Sequence, residues 1–231
     1  MRETLALPGG ARGPAARNLR ALTQRVVALD DSALLRVRPR DDADRSDVWA
    51  TTPFGPVGVR AIEARPSRPD MAVRAATVLS ALSAAAEAPD AGDDAELMLH
   101  CGGAADASWP GMLPPTGGYA TVEVVPAAVL RDLEARARGV AREESGPMGL
   151  PTSLLDQEVL TVRADVAGAS GAPGTAAVTM REVFALCGLG FIPADPSADE
   201  PVRVSVRGRH LRIDGRFGSV VASSGIGVLP L

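Results

Sequence analysis

Few residue types in this sequence could assemble a catalytic or metal-binding site. Histidine occurs only as His100 and His210, and cysteine only as Cys101 and Cys187. Adjacent residues of a strand point to opposite faces, so His100 and Cys101 do not together form a metal site. Cys187 falls on the apolar stripe of a predicted helix, where a thiol is a small core residue. We therefore expect no metal site, no bound cofactor and no cysteine nucleophile.

The carboxylates and glycines do not complete a catalytic motif either. Asp156 and Glu158 would share a face of an extended segment, where paired carboxylates can do acid–base chemistry, but we favour a solvated edge before a strand. The glycine doublets lack the strand–GxGxxG–helix context of a dinucleotide site, and no GxSxG elbow is present. The chain also has no lysine, which excludes Schiff-base and P-loop lysine chemistry. Because the sequence contains no recognisable combination of catalytic residues, we favour a protein that is not an enzyme.

A C-terminal meander of strands is predicted from residue 202 onward. Valine alternates with arginine and serine in residues 202–207, and Gly208 suits the first position of a two-residue type II′ turn. The valines of this strand then share one apolar face with the next strand. A second turn predicted at residues 215–216 leaves Phe217 on the polar face, where a bulge or a covering segment would have to accommodate the ring.

The polar face of this meander carries the chain's candidates for anion binding. Guanidinium groups bind phosphates through paired donors, and an exposed aromatic ring can stack on a base. The predicted register sets Arg203 opposite Asp214 on this face. Because arginine is the only ordinary cation in the chain, a solvated or subunit-contact face is the competing interpretation. The candidate residues are Arg203, Arg207, Arg212 and Phe217.

Three of the seven aromatic residues lie in or beside predicted loops. They are candidates for an interaction surface, because aromatic side chains are enriched at protein interfaces. Anchoring of the core is the competing interpretation for each ring. The three residues are Trp49, Phe54 and Trp109.

Hydrophobic spacing along the chain predicts an α+β fold. Helices are expected to begin near Pro14, after Pro69-Asp70 and after Pro126, with short strands between them. Thr179 and Glu182 form a capping box that begins a fourth helix. The apolar residues of the helix after Pro126 are expected to lie on its buried face, and they are Val129, Leu130, Leu133, Ala137 and Val140.

A change in composition at residues 143–151 predicts a domain boundary. We expect an N-terminal domain of mixed strands and helices over residues 1–145. A smaller domain over residues 146–231 would then contain a hairpin, a helix and the C-terminal antiparallel meander.

Six sequence blocks follow one another along most of the chain. They are WATTPFG (49–55), LPP (113–115), VVPAAVLRDL (124–133), LLDQEVLTV (154–162), VTMREVFALCGLGF (178–191) and VRVSVRGRHLRIDGRFGSV (202–220). In this order they resemble a conserved, functionally uncharacterised actinobacterial family. The resemblance implies a two-part α+β architecture and an intracellular bacterial origin, and it supplies no function. His210 stands where the family would have a large aromatic residue, which indicates a packing position.

Composition narrows the class of function. A formal net charge of −4 gives no overall attraction to nucleic acid or to an anionic membrane, although it leaves a local basic patch open. No apolar stretch is long enough for a membrane helix, and the separated cysteines are typical of a reduced, cytoplasmic protein. We predict a non-catalytic protein-interaction or structural module that binds a protein partner or itself. The alternative is a binder or enzyme acting on a phosphorylated small molecule or nucleic acid through the arginine-bearing face of the C-terminal sheet.

Overall fold

The computed structural model describes residues 2–41, 44–88, 96–144, 151–164 and 174–223. These residues form an α+β fold, as the hydrophobic spacing predicts. Contacts within the chain divide it into two compact units. Unit 1 comprises Met1–Pro53 and Val59–Met112, and unit 2 comprises Phe54–Gly58 and Leu113–Leu231. No helix in the described part of the chain is long and apolar enough to cross a membrane.

The elements up to residue 112 alternate between strands and helices. In chain order they are β1 Arg2–Leu7, α1 Pro14–Leu29, β2 Leu34–Pro39, β3 Arg45–Ala50, β4 Val57–Glu63, β5 Arg65–Pro66, β6 Met71–Arg74, α2 Ala75–Glu87, β7 Leu97–Gly103 and a 3₁₀ turn at Asp106–Ser108. β1 lies between β5 and β7 and is antiparallel to both. β2 pairs antiparallel with β6 and β3, and β4 lies beside β3.

Helices α1 and α2 pack against each other. α1 begins at Pro14, as predicted, because the fixed φ of proline suits the first helical position. α2 begins at Ala75 and not directly after Asp70, which corrects the predicted start. Residues 71–74 pair with β2 as β6, and the Asp70 carboxylate binds Arg36 instead of capping a helix.

The described elements of unit 2 include a C-terminal meander, a two-stranded hairpin and three helices. In chain order they are β8 Ala120–Pro126, α3 Ala127–Glu144, α4 Thr152–Leu155, β9 Glu158–Ala164, β10 Gly174–Thr179, α5 Met180–Gly188, β11 Pro201–Arg207, β12 His210–Gly215 and β13 Gly218–Ser223. Within this unit β13, β12, β11 and β8 are neighbours in that order, and β9 pairs with β10. The core lies between α5 and the strands, where Val183, Phe184 and Leu186 are buried.

The capping box predicted for α5 is confirmed. The Thr179 hydroxyl accepts a hydrogen bond from the Arg181 amide at 3.3 Å. The Thr179 amide in turn donates to the Glu182 carboxylate at 2.7 Å. Both interactions satisfy amides that the first turn of a helix leaves without partners, which is why α5 begins here.

The observed division of the chain differs from the predicted one. The two units divide between Met112 and Leu113, whereas residues 145–150 around the predicted boundary lie outside the described residues. Helix α3, which ends before that stretch, packs against α5, which follows it further along the chain. Elements that share a core belong to one unit, so a change in composition between them does not separate domains.

The first turn of the meander follows the predicted register and the second does not. Arg203 pairs with Asp214, as predicted. Gly215 pairs with Gly218, so the second turn consists of Arg216 and Phe217 and lies one residue later than predicted. A β-carbon on Gly215 would lie 2.5 Å from the Phe191 carbonyl oxygen. The close approach of this turn to Phe191 therefore requires glycine and sets its position.

Helix α3 departs from its predicted burial. Leu130 and Ala137 are buried as expected, and Leu133 is half-buried. Val129 and Val140 are 47% and 45% exposed, so the prediction that they face the core is wrong. The core-facing side of the helix instead includes the largely buried carboxylate of Glu134, which forms ion pairs with Arg131 at 3.3 Å and Arg138 at 2.8 Å.

Candidate functional site

The candidate anion-binding residues lie on the meander of unit 2, beside residues 113–119, which we call the strap. Arg203 and Arg207 are exposed on β11, and Arg212 lies on β12. Phe217 is in the β12–β13 turn with 39% of its surface exposed, and its amide donates to the Phe191 carbonyl at 2.9 Å. The structure thus places the arginines on one sheet, with the phenylalanine in a turn.

Arg212 is the most heavily bonded residue of this group. Its Nε donates to the Asp214 carboxylate at 2.7 Å, and one Nη donates to the Ser219 hydroxyl at 3.0 Å. The other Nη donates to the Thr116 carbonyl of the strap at 3.1 Å. The guanidinium also lies 5.6 Å from the centre of the Tyr119 ring. Every donor group of this side chain is therefore directed at a partner within unit 2.

Arg207 holds the strap one residue further along. Its guanidinium donates to the Gly117 carbonyl. Gly118 has a φ of +75°, and a β-carbon there would lie 3.4 Å from the Arg207 guanidinium. Glycine at this position both permits the left-handed backbone and leaves room for the arginine. The two arginines act together as a latch on the strap.

Tyr119 closes the strap against the latch. Its hydroxyl is buried, and it has no hydrogen-bond partner in the described residues. Burial raises the pKa of Tyr119, while the nearby guanidinium groups of Arg212 and Arg207 lower it. The ring therefore contributes packing and a cation–π contact to the latch.

The two candidate tryptophans belong to unit 1 and are buried. Trp49 is 1% exposed, within β3. Trp109 lies beneath the Arg36 guanidinium, whose carbon is 5.7 Å from the ring centre. Arg36 is itself held by two hydrogen bonds to Asp70, at 2.6 and 2.7 Å. Both rings are therefore core side chains, which corrects their prediction as surface contacts.

Phe54, the third candidate aromatic, is a buried side chain of unit 2. Its ring stacks on Phe184 with centres 5.7 Å apart. Its carbonyl accepts a hydrogen bond from Arg181 at 2.9 Å. The loop that contains Phe54 is thus anchored to α5, and this ring too belongs to the core and not to an exposed surface.

The candidate thiols are buried in the core, and the two candidate carboxylates do not form a pair. Burial raises the pKa of Cys101 and of Cys187 to about 12, so both thiols are protonated at neutral pH. Asp156 has helical torsion angles at the end of α4 and forms an ion pair with Arg181 at 2.7 Å. The extended geometry that would pair Asp156 with Glu158 is therefore not formed. No group of three or more potential metal ligands occurs in the described part of the chain.

Reasoning from the sequence missed two features, the partners of the arginine latch and the exposure of the α3 valines. The partners of the arginine latch are the backbone carbonyls of Thr116 and Gly117. Because every residue has a backbone carbonyl, the residue type does not show which carbonyls accept a hydrogen bond. The exposed valines of α3 have a signal, the apolar spacing, but that spacing is the same for a buried stripe and for an exposed one.

Comparison with known proteins finds two sequence-family models that each match part of the chain, and solved structures with a similar fold. Residues 2–99 match a model described as a domain of unknown function (DUF8010), and residues 114–227 match a second domain of unknown function (DUF8185). No curated protein sequence matches the chain. Two families without assigned function fit the resemblance drawn from the sequence blocks, and the actinobacterial origin stays a prediction.

Solved structures of DNA polymerase sliding clamps have a similar fold. The Bacillus subtilis clamp matches with a TM-score of 0.55 and 10% identity over 100% of this chain and 67% of that chain. A Pseudomonas aeruginosa clamp with ligand matches with a TM-score of 0.54 and 13% identity over 98% of this chain and 66% of that chain. The DNA polymerase III beta subunit of Thermotoga maritima matches with a TM-score of 0.52 and 9% identity over 99% of this chain and 66% of that chain. The chain thus spans about two thirds of the length of these proteins.

Removal of the Arg212 guanidinium should release the strap. In Arg212→Gln we expect the amides of residues 116–119 to exchange hydrogen faster, and the free energy of unfolding to fall by about 1–3 kcal/mol, because several charge-assisted hydrogen bonds are lost. Hydrogen-exchange mass spectrometry and denaturant unfolding measure both effects. Arg209→Gln, which changes an exposed turn arginine, is the matched control and should leave both unchanged. Equal exchange in the two variants would show that the latch does not hold the strap.

The Arg36–Asp70 pair should make the stability of unit 1 depend on pH. The hydrogen bond from Arg36 lowers the pKa of Asp70 below its ordinary value of 3.8. A depressed carboxyl pKa stabilises the fold above the unfolded-state value, and this stabilisation is lost as the pH falls through the folded-state value. The melting temperature of Asp70→Asn should therefore lie below that of the unchanged chain at neutral pH, and the difference should shrink below pH 3.8. Asp31→Asn, at an exposed loop position, should show a much smaller difference at neutral pH.

Proposed function

We propose that this chain is a non-catalytic protein-interaction module that associates with a second copy of itself. The observation that carries the proposal is an apolar surface on β8 and α3. Of the six large hydrophobic side chains that are exposed in the described residues, three lie there: Val124 at 51%, Val129 and Val140. Val129 and Val140 lie on one face of α3, and apolar side chains that share a face mark interaction sites more often than scattered ones do.

The fold likeness supports the same class of function. The similar structures include the DNA polymerase III beta subunit of Thermotoga maritima, which is by name one subunit of a larger assembly. At identities of 9–13% the likeness concerns the fold. We take from it that this fold can serve in an assembly, and we assign the contact surface of this chain from its own residues.

The arginine latch argues against the alternative of an anion site on the C-terminal sheet. Arg207 and Arg212 are already bonded to the strap, and Arg212 also to Asp214. A phosphate would have to displace these partners before it could bind. Arg203 is exposed but lies opposite Asp214, whose charge repels an anion.

Self-association should appear as a rise in native mass with protein concentration. We expect sedimentation or native mass measurements to move from 23.7 kDa towards twice that value as the concentration increases. Val129→Ser together with Val140→Ser should shift this transition to at least tenfold higher concentration, because apolar contact area is lost. Met112→Ser, which changes an exposed side chain outside β8 and α3, is the matched control. A mass of 23.7 kDa at every concentration would refute the proposal.

A second candidate function is contact with a nucleic-acid backbone, and helix α1 favours it. The first 29 residues contain five arginines and one glutamate, in a chain whose net charge is −4. Arg17 and Arg25 are exposed on α1. Arg12 and Arg20 bind carbonyls of α2, which leaves their positive charge in place. Arg17 likewise keeps its charge while it donates to the Arg12 carbonyl. The exposed guanidinium groups of Arg17 and Arg25 make α1 a candidate site of such contact.

Measuring the binding of short duplex DNA distinguishes between α1 and the C-terminal sheet as the contact site. We expect the anisotropy of a labelled duplex to rise on addition of the chain at low salt. In Arg17→Gln/Arg25→Gln the affinity should fall and the slope of log affinity against log salt should drop by about 2, because each lost phosphate contact contributes about 0.9. Arg203→Gln/Arg209→Gln removes the same charge from the sheet and should have a small effect. The reverse result would assign the contact to the sheet, and the absence of salt-sensitive binding would refute the candidate.

A further inference from the structure

Helix α3 has two distinct stripes along its length. One stripe faces the core of unit 2 and includes the buried Leu130 and Ala137. The other stripe faces outward and includes Val129, Leu133 and Val140, of which the two valines are exposed and the leucine half-buried. Successive helical residues rotate by about 100°, so two residues that are eleven positions apart return to within about 20° of each other. The outward stripe is therefore a straight apolar line, and among the described residues the valine at each end of it is exposed.

Charged residues flank this line in an order that is complementary to itself. Asp132 and Arg136 lie between the two valines in the sequence. They form an ion pair with each other, and with side chains 54% and 73% exposed each can take a second partner. Read from one end, the order is valine, aspartate, leucine, arginine, valine. When two such helices pack antiparallel about a point between Glu134 and Ala135, the acidic position of each helix lies beside the basic position of the other.

We infer that α3 is the contact through which two copies of this chain pair, as an antiparallel helix pair with a two-fold axis at its centre. Val129 of each copy then packs on Val140 of the other, and Asp132 of each copy lies beside Arg136 of the other. The inference rests on the proposed self-association and assigns the residues that carry it. A two-fold contact needs a surface that matches itself, and the α3 stripe meets this condition.

A parallel arrangement of the same helices is disfavoured by charge. It would bring Asp132 next to Asp132 and Arg136 next to Arg136, and like charges at close range repel. It would also align the two helix dipoles, which the antiparallel arrangement opposes. Both electrostatic effects select the antiparallel pair.

Disulfide trapping tests the arrangement directly. Chains carrying Val129→Cys and chains carrying Val140→Cys are purified separately, then oxidised mildly, each alone and as an equal mixture. In the antiparallel pair, position 129 of one copy faces position 140 of the other, whereas the two 129 positions are about 16 Å apart along the helix axes. A disulfide requires α-carbons within about 7 Å. The mixture should therefore form covalent dimers, with peptide mapping showing a 129–140 link, and each variant alone should not.

The native cysteines do not interfere with this experiment, because Cys101 and Cys187 are both buried. Covalent dimers formed by each variant alone as readily as by the mixture would overturn the antiparallel arrangement. If the unchanged chain has a dimeric native mass but no mixture cross-links, the inference fails and the proposed function stands. If the unchanged chain is monomeric at every concentration, both fail.

Charge variants provide a second measurement that does not depend on oxidation. Arg136→Asp alone should weaken association at least tenfold, because it places four carboxylates around the two-fold axis. The exchange Asp132→Arg/Arg136→Asp restores complementary charges between the copies and should restore most of the affinity. A double variant as weak as the single one would overturn the inference. Thermal unfolding of each variant checks that the fold is retained.

Discussion

Hydrogen bonds from arginine to backbone carbonyls hold three irregular segments of the described residues in place. Arg212 and Arg207 bind carbonyls of the strap. Arg131 binds the carbonyls of Ile192 and Pro193 at 2.7 and 2.9 Å, next to the buried Phe191. Arg181 binds the carbonyl of Phe54 in the same way. A guanidinium with five donors can bind several carbonyls at once, so a single residue satisfies backbone groups that would otherwise lack partners.

This role of arginine follows from the composition of the chain. Aromatic residues make up 3% of the sequence, and lysine is absent. Aromatic side chains that could pack a loop against the core are therefore scarce, whereas arginine is frequent. The long arginine stem packs along apolar surface while its head binds a carbonyl, which combines both tasks in one side chain. Two of the three arginines that the sequence marks as candidates for ligand binding, Arg207 and Arg212, thereby bind backbone carbonyls of unit 2, whereas Arg203 stays exposed.

The success of prediction from sequence depended on whether the determining partner is close along the chain. The capping box of α5 and the first turn of the meander are local, so residue types within a few positions define them, and the structure agrees with both. The second turn shifts by one residue because Phe191, distant in sequence, packs against Gly215. The start of α2 moves because residues 71–74 pair with β2. The burial of Trp109 depends on Arg36, and the occupation of Arg212 depends on a carbonyl of the strap. These partners are remote in sequence, so residue types near each position do not reveal them. A backbone carbonyl that accepts a hydrogen bond can also belong to any residue type.

The error in the prediction for α3 is of a different kind and carries information about function. An apolar residue that recurs at helical spacing indicates that a face is covered, without indicating by what. Leu130 and Ala137 are covered by the core of unit 2, whereas Val129 and Val140 follow the same periodicity and are exposed. A solvated helix face has no physical need for valine, which has a lower helix propensity than the arginines and glutamates of α3. The two exposed valines of α3 are therefore better explained by a helix face that is covered in an assembly than by a face that stays in contact with water. On this interpretation the sequence describes the helix correctly, and its second covering surface is provided by another copy of the chain.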